Sequence, residues 1–172
     1  MKIMSIVLVM MSTYCFGQQT SKQKTSATGV GLYISSSYNL TLTAAIELAA
    51  RATLRAELLD KKVSIAVLDA SGTILLLMRG DGVGPHNTEA ARRKAYTALS
   101  TKTLTLLLLR NAASNPDTEN LNTLPELILL SGGVPVWYKG NLIGSIGVGS
   151  AENDDLIAKS ATLTEIGLTT TK

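Results

Sequence analysis

Two stretches, VSIAVLDASGTILLLMR at residues 63–79 and LILLSGGVPVWYKGNLIGSIGVGS at 127–150, limit what this chain can fold into more than any other feature. Each places apolar, strand-like runs on either side of a short polar turn, Asp69-Ala-Ser-Gly72 in the first and Lys139-Gly-Asn141 in the second. Turn residues in that setting are hairpin signals, so the first stretch predicts two paired strands and the second two or three. Helical patterns surround them. Leu42, Ala45, Ile46, Ala49, Thr53, Ala56 and Leu59 recur at 3.6-residue spacing and predict one helix face, with Thr41 or Thr43 as cap. Asn87 or Thr88 is expected to cap a second helix running to about Ser100. Lys102 to Asn111, containing LTLLLL, predicts a buried helix, NAASNPDTENLN an exposed connector, and Asp154 to Ile166 a closing helix. Helix, hairpin, helices, hairpin, helix contains no βαβ alternation, and the expected fold class is α+β: one antiparallel sheet flanked by helices.

The 172 residues suffice for about one domain with a real core. Residues 1–17, with Lys2, an apolar run from Ile3 to Met11 and the small residue Gly17, read as a secretory signal peptide. The run is too short to span a bilayer, so no permanent membrane span is expected. Lipid attachment at Cys15 is disfavoured by Tyr14, which stands where a lipobox takes a small residue. Residues 18–35, rich in Gln, Ser, Thr, Lys and Gly, read as a flexible leader, and 36–172 as the domain. The expected location is exported, periplasmic or extracellular. Without Cys15 the mature chain has no thiol, so neither disulfides nor thiol chemistry enter. A net charge of +3, basic residues dispersed apart from Arg92-Arg93-Lys94, and one Phe, one Trp and five Tyr give nucleic-acid binding no support.

The glycine clusters do not make a nucleotide site. GVGPHN lacks the Lys-Ser/Thr ending of a phosphate loop and Pro85 removes an amide, while GSIGVG (144–149) reverses the spacing of the dinucleotide fingerprint. The plainer reading of 144–149 is a strand against which another element packs closely. There is no Gly-x-Ser-x-Gly elbow for a serine hydrolase. Asp154 and Asp155 read as helix-start charges that complement the macrodipole. One His and no mature Cys cannot build a zinc site within one chain. An axial haem ligand needs only one His, because the porphyrin supplies four nitrogens itself.

Several motifs occur in an order that carries a family likeness: LTLTAA at a helix entry, AVLDASGTILLLMRGDG, RRKAYTA, GGVPV, and GNLIGSIGVG ahead of DDLIA. From about Leu40 to Ala161 the chain resembles the haem-degrading family that includes GlcG and HbpS-like proteins and the C-terminal domain of some PduO-type proteins. The resemblance implies a profilin-like domain, assembly into a symmetric homo-oligomer, and, for some members, haem as the bound cofactor.

In that setting His86, the only histidine, is the candidate axial ligand to haem iron. It is expected just before a helix start, where the macrodipole disfavours imidazolium, behind Pro85, which narrows the directions its ring can take. Arg93 follows seven residues on, roughly 10 Å along a helix, with Lys94 beside it, a reach suited to propionates. Tyr96 joins the cofactor-binding set, and Met78 is a lower-ranked contact. A lone histidine before a helix is also ordinary as an exposed residue with no ligand, and RRK as a solvated or subunit-facing stripe. Three functions therefore remain open: an exported haem-binding protein that oxidatively degrades haem to release iron; a non-enzymatic sensor or interaction module whose oligomer binds a small carboxylate or a protein; and a scaffold whose glycine-rich strands serve assembly.

Overall fold

The computed structural model describes residues 33–150, 152–162 and 164–172. The expected signal segment 1–17 and most of the leader 18–35 lie outside the described residues. The packed unit spans Ser37–Lys172. Its first helix, α1 (Leu42–Leu58), starts at Thr41, whose side chain accepts a hydrogen bond from the Ala44 amide. The first hairpin is β1 (Ser64–Asp69) and β2 (Ile74–Arg79). Its turn is organised by Asp69, whose Oδ1 accepts from the amides of Ser71 and Thr73, both at 2.9 Å, and from Ser71 Oγ at 2.6 Å. Partial burial works against charge on Asp69, but the hydrogen bonds from Ser71, Thr73 and Asn39 outweigh it and hold its carboxyl below the usual range.

Helix α2 (Pro85–Thr101) and the short α3 (Thr105–Ala112) follow, then β3 (Gly133–Tyr138) and β4 (Asn141–Gly149). Lys139 and Gly140 both have positive φ, 48° and 75°, the geometry of a two-residue turn whose twist matches its strands. The chain closes with α4 (Asp154–Ser160), a 3₁₀ turn at Thr164–Ile166, and β5 (Leu168–Thr169). All pairings are antiparallel, in the order β2-β1-β4-β3-β5. This is the expected α+β domain with a profilin-like outline.

The two faces of the sheet are covered differently. Ile65, Val67, Val134, Val136, Ile146 and Val148 meet α1 and α4 in the larger core. On the other face, Ala66 and Leu68 pack against Ala91, Ala95 and Leu99 of α2. There the strands offer glycine: a Cβ at Gly147 would run into the Ala91 carbonyl oxygen, one at Gly149 into that of Asn87, and one at Gly133 into that of Lys94. Helix α2 thus lies directly on the strand backbone.

Several elements depart from the sequence expectation. Ala45, Ala49 and Ala56 of α1 face the core as expected, together with Leu48 and Ala52, but Leu42 and Ile46 are exposed. The small side of the helix goes inward because alanines let it approach the sheet. Helix α3 is not buried: only Thr105 is, and Leu107 and Leu109 reach solvent, since the helix touches the sheet mainly through its first turn at Gly133. The closing helix stops at Ser160, and the chain then turns through Gly167 to add β5 beside β3.

Candidate functional site

Helix α2 carries His86, Arg93, Lys94 and Tyr96, the expected cofactor-binding set, and it begins earlier than its sequence suggests. Gly84 is the N-cap and Pro85 the first helical residue, so His86 sits inside the first turn, not ahead of it. Proline suits that position because it has no amide to leave unpaired and its φ is already helical. The preceding loop is pinned: the Gly80 amide donates to the Val63 carbonyl at 3.0 Å, Val83 donates to Gly80 at 3.1 Å, and Arg79 Nε donates to the Val83 carbonyl. Thr88 joins the same end of the helix to β1 through Ser64, their hydroxyls 2.9 Å apart. The His86 side chain is exposed, and its ring folds back over the N-cap, where a Cβ on Gly84 would approach Cε1 to 2.7 Å and Nδ1 to 2.9 Å. Any other residue at 84 pushes the imidazole away.

Arg93 lies about two turns further along the same side of the helix. It is half-buried, and its Nη2 donates to the Leu127 carbonyl. Its Nε is buried without a hydrogen-bond partner among the described residues. A guanidinium carries five N–H donors, so the Leu127 bond leaves others for a ligand. The 126–128 segment straps this side of α2. Thr97 Oγ1 accepts from the Ile128 amide at 2.9 Å and donates to the Arg93 carbonyl at 2.8 Å. Glu126 meets Arg92 at 2.9 Å. Hydrogen bonding first to Glu89 and then to Glu126 raises the Arg92 guanidinium further above its usual range, and Arg92 in turn lowers Glu89.

Lys94 is not with them. It turns toward the sheet, about 100° round α2 from Arg93, and is buried, with Nζ donating to Asp154 Oδ2 at 2.6 Å and to the Val148 carbonyl at 3.0 Å. Asp154 also accepts from Ser150 Oγ at 2.6 Å and from the Ser150 amide at 3.2 Å. The ammonium is spent inside the fold, which corrects the expectation that it reaches a propionate at the surface. Asp154 likewise does more than complement the α4 dipole: it locks α4, the end of β4 and α2 together. Its partner stands 60 positions away, so no local sequence pattern marks the pair. Tyr96 is half-buried near the β1–β2 turn, where a Cβ on Gly72 would stand 3.7 Å from its ring. Met78 packs into the α1 core, on the sheet face away from α2, and so is separated from His86. His86 and Arg93 remain as an exposed imidazole and a half-buried guanidinium on one side of one helix.

The family model for "Haem degrading protein HbpS-like" matches residues 40–162. The chain belongs to this HbpS-like family. Corrinoid adenosyltransferase PduO of Citrobacter freundii is 32% identical over 119 residues, a match covering 67% of this chain and 36% of that protein. The HbpS-like chain therefore spans about a third of the length of that curated relative. A second Citrobacter freundii protein, named for the dhaT-dhaS intergenic region, is 30% identical over 128 residues, covering 71% of this chain and 89% of its own length. Among solved structures, a double mutant of Streptomyces reticuli HbpS aligns with TM-score 0.70 and 36% identity over 75% of this chain and 88% of that one. A PduOC:Heme complex aligns with TM-score 0.67 and 28% identity over 78% of this chain and 99% of that one.

Proposed function

We propose that this HbpS-like chain binds haem, with His86 as axial ligand to the iron and Arg93 holding a propionate. One observation carries the reading: the only imidazole in the chain is exposed on a pinned helix start, with a guanidinium about two turns along the same side. The haem complex of the PduO relative supports the choice of cofactor. The donor set fits the group. A porphyrin already supplies four nitrogens, so one imidazole from the chain would suffice to hold the iron, and a guanidinium matches a carboxylate by charge-assisted hydrogen bonds. Pro85 and the Gly84 contact restrict the imidazole, and the Leu127 carbonyl restrains the guanidinium, so both are partly organised in advance.

The proposal extends to oxidative haem breakdown by an exported homo-oligomer. Haem, when bound, would supply an iron that activates oxygen with electrons from an external reductant, the oxygen oxidising the porphyrin edge so that the metal is released. The chain's own contribution would be to hold the iron through His86 and a propionate through Arg93. Export rests on Lys2, the Ile3–Met11 run and Gly17. Hemin titration of the intact chain tests the binding claim. A saturable Soret shift at about one haem per chain is expected, and the absence of a shift overturns it. With haem bound, reductant and oxygen should bleach the Soret band faster than they bleach free hemin, and equal rates remove the breakdown claim.

A further inference from the structure

At the opposite end of the sheet from His86, and on its other face, the described residues enclose an open cleft. Tyr138 and Ile143 flank the Lys139-Gly140 turn, while α2 begins beside Gly149 at the far end of β4, about 20 Å along that strand. The cleft measures about 350 Å³, a size that holds small organic ligands. Tyr38 and Tyr138 form one wall, with ring centroids 5.5 Å apart and planes at 76°, the edge-to-face arrangement aromatic pairs prefer. Leu40, Ile143, Ile166 and Leu168 close the others, and none of the described lining residues is charged.

The walls are fixed before any ligand arrives. The Leu40 amide donates to the Ile143 carbonyl at 2.9 Å, tying the segment before α1 to β4. Asn39 holds the same segment to the first hairpin turn, accepting from the Ala70 amide at 2.7 Å and donating to Asp69 Oδ2 at 3.3 Å. Tyr138 stands opposite Asn141 of β4 and Leu168 of β5. Lys139 sits at the rim, its Nζ 5.0 Å from the centre of the Tyr138 ring. Among the described residues this ammonium meets no carboxylate.

We propose that this cleft binds a small aryl carboxylate, its ring against Tyr38 and Tyr138 and its carboxylate on Lys139. The reading is independent of haem binding. Charge decides the class of ligand. An ammonium already lies over Tyr138, so a cationic guest meets like charge, whereas an anion gains a charge-assisted hydrogen bond. The aromatic pair decides the shape. A flat ring adds a third partner to the edge-to-face pair and buries apolar surface against the aliphatic walls, which a short hydrophilic acid cannot do. The volume suits a ring system the size of naphthalene.

Calorimetric titration of the intact chain with 2-naphthoate, beside its cationic counterpart 2-naphthylmethylammonium, tests this. About one naphthoate should bind per chain, about tenfold more tightly than the ammonium. Amide NMR shifts should centre on residues 38–44 and 138–143. Lys139→Met should weaken naphthoate binding about fivefold, as for the loss of one exposed charge pair. Ile166→Glu, at a side chain 61% exposed and so outside the core, should reverse the preference between the two ligands. His86→Ala should bind naphthoate as the intact chain does. Absence of binding, equal affinities for the two ligands, or an unchanged preference in Lys139→Met or Ile166→Glu overturns the proposal, and so does loss of naphthoate binding in His86→Ala. Amides of residues 38–44 that shift with protein concentration alone would put a second copy of the chain in the cleft and overturn it too.

Discussion

One side of α2 is built from Ala91, Lys94, Ala95 and Ala98, all buried, and the other opens with the exposed His86 and continues to Arg93. The first side lies on strands stripped to glycine and ends in an ion pair almost closed to solvent. The second is held only by the strap at residues 126–128 and the pinned loop before Pro85. Residues 94–98 of the RRKAYTA motif, one of those that carry the family likeness, belong almost wholly to the buried side. They are what lets a helix rest on a bare strand, and they say little about chemistry. The side that offers functional groups is the one the family motif describes least.

Substitutions on the two sides should therefore part sharply. The largest effect belongs to Gly147→Val: its Cβ would enter the Ala91 carbonyl and stand 2.6 Å from the Ala95 amide nitrogen, with no flexible atom to yield. A loss above about 5 kcal/mol is expected, seen as the disappearance of a cooperative thermal transition. Lys94→Met comes next. It leaves Asp154 buried and unpaired, at a cost of about 3–5 kcal/mol, or a fall in Tm of roughly 10 °C. Pairing it with Asp154→Leu should restore at least half of that loss, because a buried ion pair often exchanges for apolar residues at little cost. A double variant no better than Lys94→Met would show that the site tolerates no apolar filling. The smallest effect on stability belongs to His86→Ala, within about 0.5 kcal/mol, as for an exposed side chain that makes no side-chain hydrogen bond among the described residues.

The same contrast explains what the sequence made legible. Both hairpins, their turns and the antiparallel sheet were readable because apolar runs and turn residues are local signals, and the glycines of GSIGVG were readable as a close approach. The face of α1 is legible only in part, because alanine carries little hydrophobic weight: the 3.6-residue pattern takes in Leu42 and Ile46 beside Ala45, Ala49 and Ala56, while the sheet accepts the alanines that let it come near. The LTLLLL run reads as buried for the same reason in reverse, since hydrophobicity alone does not show how little of an eight-residue helix its neighbours cover, and Leu107 and Leu109 stay exposed. Lys94 and Asp154 were each visible, but a contact between residues 60 positions apart leaves no periodic trace. His86 was found as the only residue of its kind. Its place inside the helix was missed because Gly84, a cap with no side chain, gives a weaker start signal than Asn87 or Thr88.

The division of α2 into a packing side and a binding side is tested most directly by hemin titration of His86→Ala. His86→Ala should lose the Soret shift while its thermal transition matches that of the unaltered chain. A His86→Ala variant that still takes up one haem per chain, with the same Soret maximum, would contradict it and place the ligand elsewhere in the molecule.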